Sequence, residues 1–314
     1  MKFTITIPAY KSRFFDECIQ SVLAQTFKDF ELIILNDKSP EPIKEIVNRF
    51  DDNRLRYYEN EKNVGAKNVV YNWNKLLNLA KGDYLICMGD DDKLHPNCLF
   101  VYNELLSRYP SKDIYHCRTQ IIDEHSNPLD IQEERPLEES MLSMIWHMMF
   151  KGRVQFIGDF LFRTEALRKM GGFYYQPYAM ASDWLSTFIA AKTNGIANTN
   201  ELLFQYRSTP FTITSAPKGK SLWKSTIKYR QCILELLEDE PSDIIDQQYR
   251  HLILKNLDYI INKSQVDNMA TDLAQSCFKD VFYWLRHLKI ISLSKSSFFY
   301  AVLLGLYRLR RLRK

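Results

Sequence analysis

The sequence predicts an α/β fold, a mainly parallel sheet covered by helices and followed by a helical C-terminal extension. Two observations predict it. Up to residue 118, short β-rich apolar runs alternate with helical patterns, as in consecutive βαβ units. From about residue 219 the pattern is almost purely helical, with Pro241 separating two segments and no internal repeat.

The apolar runs span 3–7, 30–35, 55–58, 84–88 and 114–117, each of strand length. Helical segments lie between them near 14–26, 41–50, 66–80 and 97–108. The first run is too short for the apolar part of a signal peptide and reads as a strand. Residues 119–215 are less regular. They show a turn at 124–128, a helix over 138–150, an apolar run over 156–162, and a helix over 164–170 stopped by Gly171-Gly172. A further helix starts after Ser182-Asp183 and closes at Asn194-Gly195. The expected division is one large domain over 1–215, with halves at about 1–118 and 119–215, and a helical extension over 216–314.

With 314 residues the chain can bury a substantial core, and no low-complexity tract argues for disorder. The six cysteines, at 18, 87, 98, 117, 232 and 277, form no CxxC pair and no regular spacing. That argues against a zinc cluster or a disulfide framework and for a reducing, cytoplasmic compartment. The net charge of +4 is unevenly placed: residues 308–314 carry five positive charges and no acid. Basic charge confined to one tail argues against nucleic-acid binding.

In open parallel sheets, ligands collect at the carboxyl ends of strands. Three such ends carry polar or unusual residues: Pro8-Ala9-Tyr10, Asn36-Asp37-Lys38-Ser39, and Asp90-Asp91-Asp92. A right-handed βαβ arrangement brings them to one edge. The acidic triplet is either a solvated turn or a site for a hard cation such as Mg²⁺ or Mn²⁺, which binds a few carboxylates and substrate phosphates. Asp37 can cap the helix that follows Pro40 or accept hydrogen bonds from a nucleobase or ribose. Asp183 can stabilise the first turn of its helix or act as a base held rigidly there. The lone glycine of Asn63-Val64-Gly65 makes no phosphate-cradling loop, which argues against a P-loop ATPase or a Rossmann dehydrogenase.

Taken in order, these residues resemble a known family. The set is Ile5-Thr6-Ile7-Pro8-Ala9-Tyr10, Ser21-Val22-Leu23-Ala24-Gln25-Thr26, Glu31 through Ser39, Asn63-Val64-Gly65, Gly82-Asp83-Tyr84-Leu85 and Asp90-Asp91-Asp92 with Pro96. It continues through Phe162 to Leu167, Gly171-Gly172-Phe173, Ser182-Asp183-Trp184 and Gln205-Tyr206-Arg207. Together they resemble the family 2 glycosyltransferases of GT-A fold, over roughly residues 2–215. The resemblance implies a three-layer α/β/α sandwich and a nucleotide-diphosphate-sugar donor, most often a UDP-sugar, with transfer by inversion. It implies that Pro8, Ala9, Tyr10, Asp37 and Asp90 bind the nucleotide, that Asp91 and Asp92 hold Mn²⁺ or Mg²⁺, and that Asp183 is the catalytic base. A strict Asp-x-Asp reading would use Asp90 and Asp92 for the metal instead.

Three positions depart from the family pattern. Trp73-Asn74 stands where many relatives carry Arg-Asn, and Thr209 stands where many have a metal-binding His. The Gln-x-x-Arg-Trp motif of processive synthases is absent from 205–209, which favours addition of one sugar. The expected acceptor is a glycan or lipid-linked glycan. Residues 297–314 read either as a helix packed on the domain with a solvated basic end, or as an interfacial helix at the inner face of the plasma membrane. Two rival functions remain at this stage, a nucleotidyltransferase that makes a sugar nucleotide and a catalytically silent glycan-binding member of the fold.

Overall fold

Phe3–Ala9 forms the first strand, β1, and every residue in it except Pro8 is buried. In the computed structural model, which describes residues 1–209, 222–291 and 293–312, the chain divides into two units, Met1–Ile213 and Thr214–Lys314. The expected boundary at 215–216 lies outside the described residues.

In the first unit the strands after β1 are β2 (Phe30–Asn36), β3 (Leu55–Glu59), β4 (Tyr84–Cys87), β5 (Lys93–Leu94), β6 (Ile114–Ile122), β7 (Pro128–Ile131), β8 (Glu138–Glu139), β9 (Phe160–Arg163) and β10 (Ile196–Arg207). They build one sheet in the order β3-β2-β1-β4-β9-β6-β10-β5, with β7 on β6 and β8 on β10. β3, β2, β1 and β4 run parallel, and so do β6 and β10. β9 enters antiparallel between β4 and β6, so the sheet is mixed but mainly parallel. β2, β1 and β4 are neighbours, and their carboxyl ends share one edge.

The helices of this unit are α1 (Phe15–Leu23), α2 (Ile43–Val47), α3 (Val69–Leu79), α4 (Cys98–Arg108), α5 (Met141–Lys151), α6 (Thr164–Lys169) and α7 (Ser182–Ala191). Side chains alternate across a strand, and β2 shows where each layer sits. Leu32 and Ile34 pack in one core with Phe15 and Ile19 of α1, Ile43 of α2 and Leu99 of α4. Ile33 and Leu35 point the other way, onto Leu76 of α3. A strand covered on both faces must be apolar throughout, which is why Leu32-Ile33-Ile34-Leu35 shows no alternation.

The irregular stretch holds the differences from expectation. The helix expected from Glu138 begins at Met141, because Glu138 and Glu139 pair with β10 and Ser140 caps α5, its hydroxyl accepting the Ser143 N–H at 3.1 Å. The run expected over 156–162 splits into a 3-10 turn, Ile157–Asp159, and β9. Trp73-Asn74 acquires a structural role: the Asn74 amide accepts from Phe173 N–H at 2.7 Å and donates to Phe173 C=O at 3.1 Å, while Trp73 lies edge-on to the Phe173 ring. Gly172 beside it has φ +90°, and a Cβ there would meet Asn74 Oδ1 at 2.4 Å, so this clamp requires the glycine.

The second unit is helical, with α8 (Leu222–Leu236), α9 (Ile244–Gln275), α10 (Val281–His287) and α11 (Lys295–Leu312). Asp243, two residues after Pro241, caps α9 by accepting the N–H groups of Ile245 and Asp246. Trp223, Met269, Leu273, Trp284, Phe298 and Ala301 form its core, and the Trp284 indole N–H donates to Asp272 at 2.7 Å. Among the described residues no helix is long and apolar enough to cross a membrane.

Candidate active site

The acidic turn follows β4 directly. Like charges this close repel, and the structure shows what opposes the repulsion. Asp90 is turned inward, and its Oδ2 accepts the backbone N–H groups of Tyr10 and Lys11, both at 2.7 Å. Asp92 is also inward: Oδ1 accepts Arg207 N–H at 3.0 Å and Oδ2 accepts Gly89 N–H at 3.2 Å. Asp91, the most accessible of the three but still largely buried, has the Lys11 ammonium 3.5 Å from its Oδ2. A Cβ on Gly89 would stand 2.8 Å from Asp92 Oδ2 and 3.0 Å from Asp91 Oδ1, so the turn depends on having no side chain there. Burial pushes the Asp90 carboxyl up to about 6, with the Asp91 charge adding to it, and raises Asp92 well above the usual carboxylate range for the same two reasons.

This donor set fits a hard cation. Among the described residues Asp91 has no backbone N–H partner and the oxygens of Asp92 each accept only one, so lone pairs remain on both. Among the described residues no cluster of three or more His, Cys, Asp or Glu is arranged to hold an ion by itself.

At the end of β1, Pro8 is half-buried, Ala9 lies wholly in the core and Tyr10 projects at 44% exposure. Ala9 thus acts through its backbone, whose carbonyl accepts the Asp37 N–H at 3.0 Å. Asp37 does not cap the next helix, for α2 has no side-chain cap. Its Oδ1 instead accepts from the Asn60 amide at 2.8 Å and Val64 N–H at 3.0 Å, and its Oδ2 accepts from Gly65 N–H at 3.3 Å. It therefore ties the Asn63-Val64-Gly65 loop to the end of β2.

Asp183 lies in the first turn of α7, and the approach to it is strained. Tyr178, Ala179 and Ala181 take φ of +60°, +51° and +55°, a region that costs a non-glycine residue about 1 kcal/mol or more. The helix start is held by serines: Gln176 N–H donates to Ser182 Oγ at 3.1 Å and Tyr174 N–H to Ser186 Oγ at 2.9 Å. Removal from water pushes the Asp183 carboxyl up to about 7, offset in part by backbone N–H groups of Asp183 and Trp184.

Two residues without a role in the sequence analysis join these parts. Tyr206 of β10 stacks on Phe156 with ring centroids 3.8 Å apart. Burial and then the charges of Asp92, Asp91 and Asp183 push its hydroxyl up to about 12, so the acidic turn and Asp183 are both near enough to act electrostatically on one phenol. Arg207 is wholly buried, donating to Asp91 C=O at 2.9 Å, Asp123 C=O at 3.0 Å and Glu17 Oε2 at 3.1 Å, with its guanidinium over the Phe14 ring. Their only trace in the sequence is the phrase Gln205-Tyr206-Arg207 itself. Lys11 likewise was signalled only by following Tyr10. Arg207→Met is expected to destabilise the unit by roughly 1–3 kcal/mol for each carbonyl left without a donor, read as a lower urea midpoint.

Comparison with known proteins shows the family and the fold. The model of glycosyl transferase family 2 matches residues 4–171, more than half of the chain. An uncharacterized glycosyltransferase of Rickettsia typhi is 24% identical over 237 residues, covering 72% of this chain and 71% of that one. A GalNAc(5)-diNAcBac-PP-undecaprenol beta-1,3-glucosyltransferase of Campylobacter jejuni is 30% identical over 96 residues, 30% of each chain. Among solved structures, S. aureus TarS 1–349 in complex with UDP-GlcNAc superimposes with a TM-score of 0.66 at 17% identity, covering 99% of this chain and 90% of that one, and shows the fold. The mainly parallel sheet with its helices is a GT-A fold, and the chain belongs to glycosyl transferase family 2.

Proposed function

We propose that this glycosyltransferase moves one sugar, with inversion, from a nucleotide-diphosphate sugar, a UDP-sugar in the first instance, to a hydroxyl of a glycan or lipid-linked glycan. The observation that supports the reading is that the acidic turn at the end of β4 and Asp183 at the start of α7 both act electrostatically on the Tyr206 hydroxyl. A leaving diphosphate needs positive charge, and an attacking hydroxyl needs a base. Carboxylates for both tasks lie within electrostatic reach of one side chain.

In this reading residues 1–118 bind the nucleotide and 119–215 the acceptor. Tyr10, the most exposed residue of Pro8-Ala9-Tyr10, offers its ring to the base beside Pro8. Asp37 shapes the loop at Gly65 that closes that pocket, and Asp90 braces the end of β1 against the turn. Mn²⁺ or Mg²⁺, held by Asp91 and Asp92 together with diphosphate oxygens, would supply charge against the leaving group. Lys11 adds a second positive group beside Asp91. The Asp183 carboxylate takes the proton from the acceptor hydroxyl, whose oxygen bonds to the anomeric carbon as the carbon–oxygen bond to the diphosphate breaks. One displacement on the face opposite the leaving group inverts that carbon, as a water does in inverting hydrolases. The undecaprenol-linked acceptor in the name of the Campylobacter jejuni relative supports a lipid-linked acceptor and a place at the inner face of the plasma membrane.

The test is to incubate the full chain with a panel of nucleotide sugars, Mn²⁺ and glycan or lipid-linked acceptors, and to measure released nucleoside diphosphate. Release that depends on donor and acceptor is expected. Pyrophosphate release from a nucleoside triphosphate and a sugar phosphate would instead make the protein a nucleotidyltransferase, and no turnover with any donor would make it a silent member of the fold.

A further inference from the structure

From Val281 to Lys314 the chain carries eight Lys and Arg and no Asp or Glu, although the whole sequence has 38 acids against 42 bases. The segment is also where large apolar side chains reach solvent. On α11, Phe299 is 67% exposed, Tyr300 61%, Leu303 64%, Leu306 43% and Tyr307 58%. At 3.6 residues per turn these five positions fall on one stripe roughly 120° wide. The opposite stripe is occupied. Phe298 and Ala301 are buried in the core of the unit, Gly305 lies against Ala270 and Leu273 of α9, and Arg308 donates to Asp267 C=O and the Thr271 hydroxyl. Thus α11 is fixed by one face and offers the other.

We infer that the open face of α11 is a docking surface for an anionic lipid bilayer. Charge selects this occupant. Arg310 falls on the same stripe as Phe299, Leu303 and Leu306 by helical spacing, and it is exposed. Tyr300 and Tyr307 carry a hydroxyl at the end of an apolar ring, the side-chain type that settles at the level of lipid headgroups. Arginine on such a stripe extends to the phosphates while its methylenes stay in the apolar layer. An acid-free basic segment with aromatics and leucines on one stripe is complementary to a negatively charged surface and to the acyl boundary below it. Phe282 and Ile290, exposed at 75% and 59%, add apolar surface in the same acid-free segment. The inference deepens the reading of a lipid-linked acceptor but rests on the second unit alone, so the two can fail separately.

Cosedimentation of the full chain with vesicles tests it without any donor or acceptor. Vesicles of pure phosphatidylcholine are compared with vesicles in which phosphatidylglycerol makes up half of the lipid. The wild type is expected to bind the anionic vesicles at least about tenfold more tightly than the neutral ones, with the difference shrinking as salt is raised. The double variant Phe299→Asp, Leu303→Asp, whose side chains leave the core untouched, should keep its melting temperature and lose at least about tenfold of that binding. Equal binding to both vesicles overturns the inference, as does binding to neither. Wild-type binding by the variant overturns the placement on α11. A concentration-dependent dimer that the variant abolishes, with no vesicle binding, would assign the stripe to a second copy of the chain and overturn it too.

Discussion

Asp183→Asn should lower the rate of sugar transfer by about 10²–10⁴-fold while leaving donor affinity within a factor of about two. The asparagine keeps the shape and the contact with the first turn of α7 but cannot take a proton. Steady-state kinetics with the donor varied separates the two effects, because loss of a base lowers the turnover number and leaves donor binding. The pH dependence follows from the same residue. The carboxyl is raised to about 7 by burial, and only its deprotonated form can act as base. Activity should therefore be low at pH values below that point, rise through it, and level off above it. A rate independent of pH between 5.5 and 8.5, or transfer by Asp183→Asn at the wild-type rate, would place the base elsewhere.

The second large effect concerns the acidic turn. Asp91→Asn, or removal of divalent ions with EDTA, should lower transfer by roughly 10²-fold or more, since a cation at the leaving group is worth several kcal/mol of transition-state stabilisation. The two losses should not add, because they remove the same charge. Mn²⁺ or Mg²⁺ should restore the chelated wild type and leave Asp91→Asn impaired. Asp91 is chosen over its neighbours for a physical reason. Asp90 and Asp92 accept backbone N–H groups from Tyr10, Lys11, Gly89 and Arg207, so changing either would disturb the loop as well as the charge.

Much of the first half was legible because its strands are simple. β1, β2 and β4 are short, apolar and flanked by helices with clear periodicity, and the rules of parallel sheets bring their ends together. β10 was not legible. Its twelve residues are interrupted by Asn198-Thr199-Asn200-Glu201, which looks like a loop in sequence. These polar groups are satisfied by distant backbone: the Asn198 amide donates to Pro136 C=O, and the Asn200 side chain exchanges hydrogen bonds with the Arg135 backbone. Register shifts between Asn198 and Phe204 absorb the irregularity. β9 was hidden for another reason, since the apolar residues on both sides of Gly158-Asp159 read as one run, whereas Ile157–Asp159 is a 3-10 turn and only Phe160–Arg163 is strand.

The site shows the same division. That three carboxylates after a strand need a positive partner was readable from Asp90-Asp91-Asp92 alone. Which groups answer them was not, because Lys11 and Arg207 come from 80 and 116 residues away along the chain. The three aspartates look equivalent in sequence, and they become distinct only when backbone N–H groups from the ends of β1 and β10 arrive at two of them. Asp37 is a similar case. Its helix-capping chemistry was sound, but the loop at Val64 and Gly65 reaches it first.

Calorimetric titration of UDP- and GDP-sugars into the full chain, with and without Mn²⁺, tests the donor site most directly. Saturable binding of one nucleotide sugar per chain is expected with Mn²⁺, at wild-type strength in Asp183→Asn, much weaker in Asp91→Asn, and weaker in the wild type once Mn²⁺ is withheld. No binding of any nucleotide or nucleotide sugar by the wild type in the presence of Mn²⁺ would contradict it.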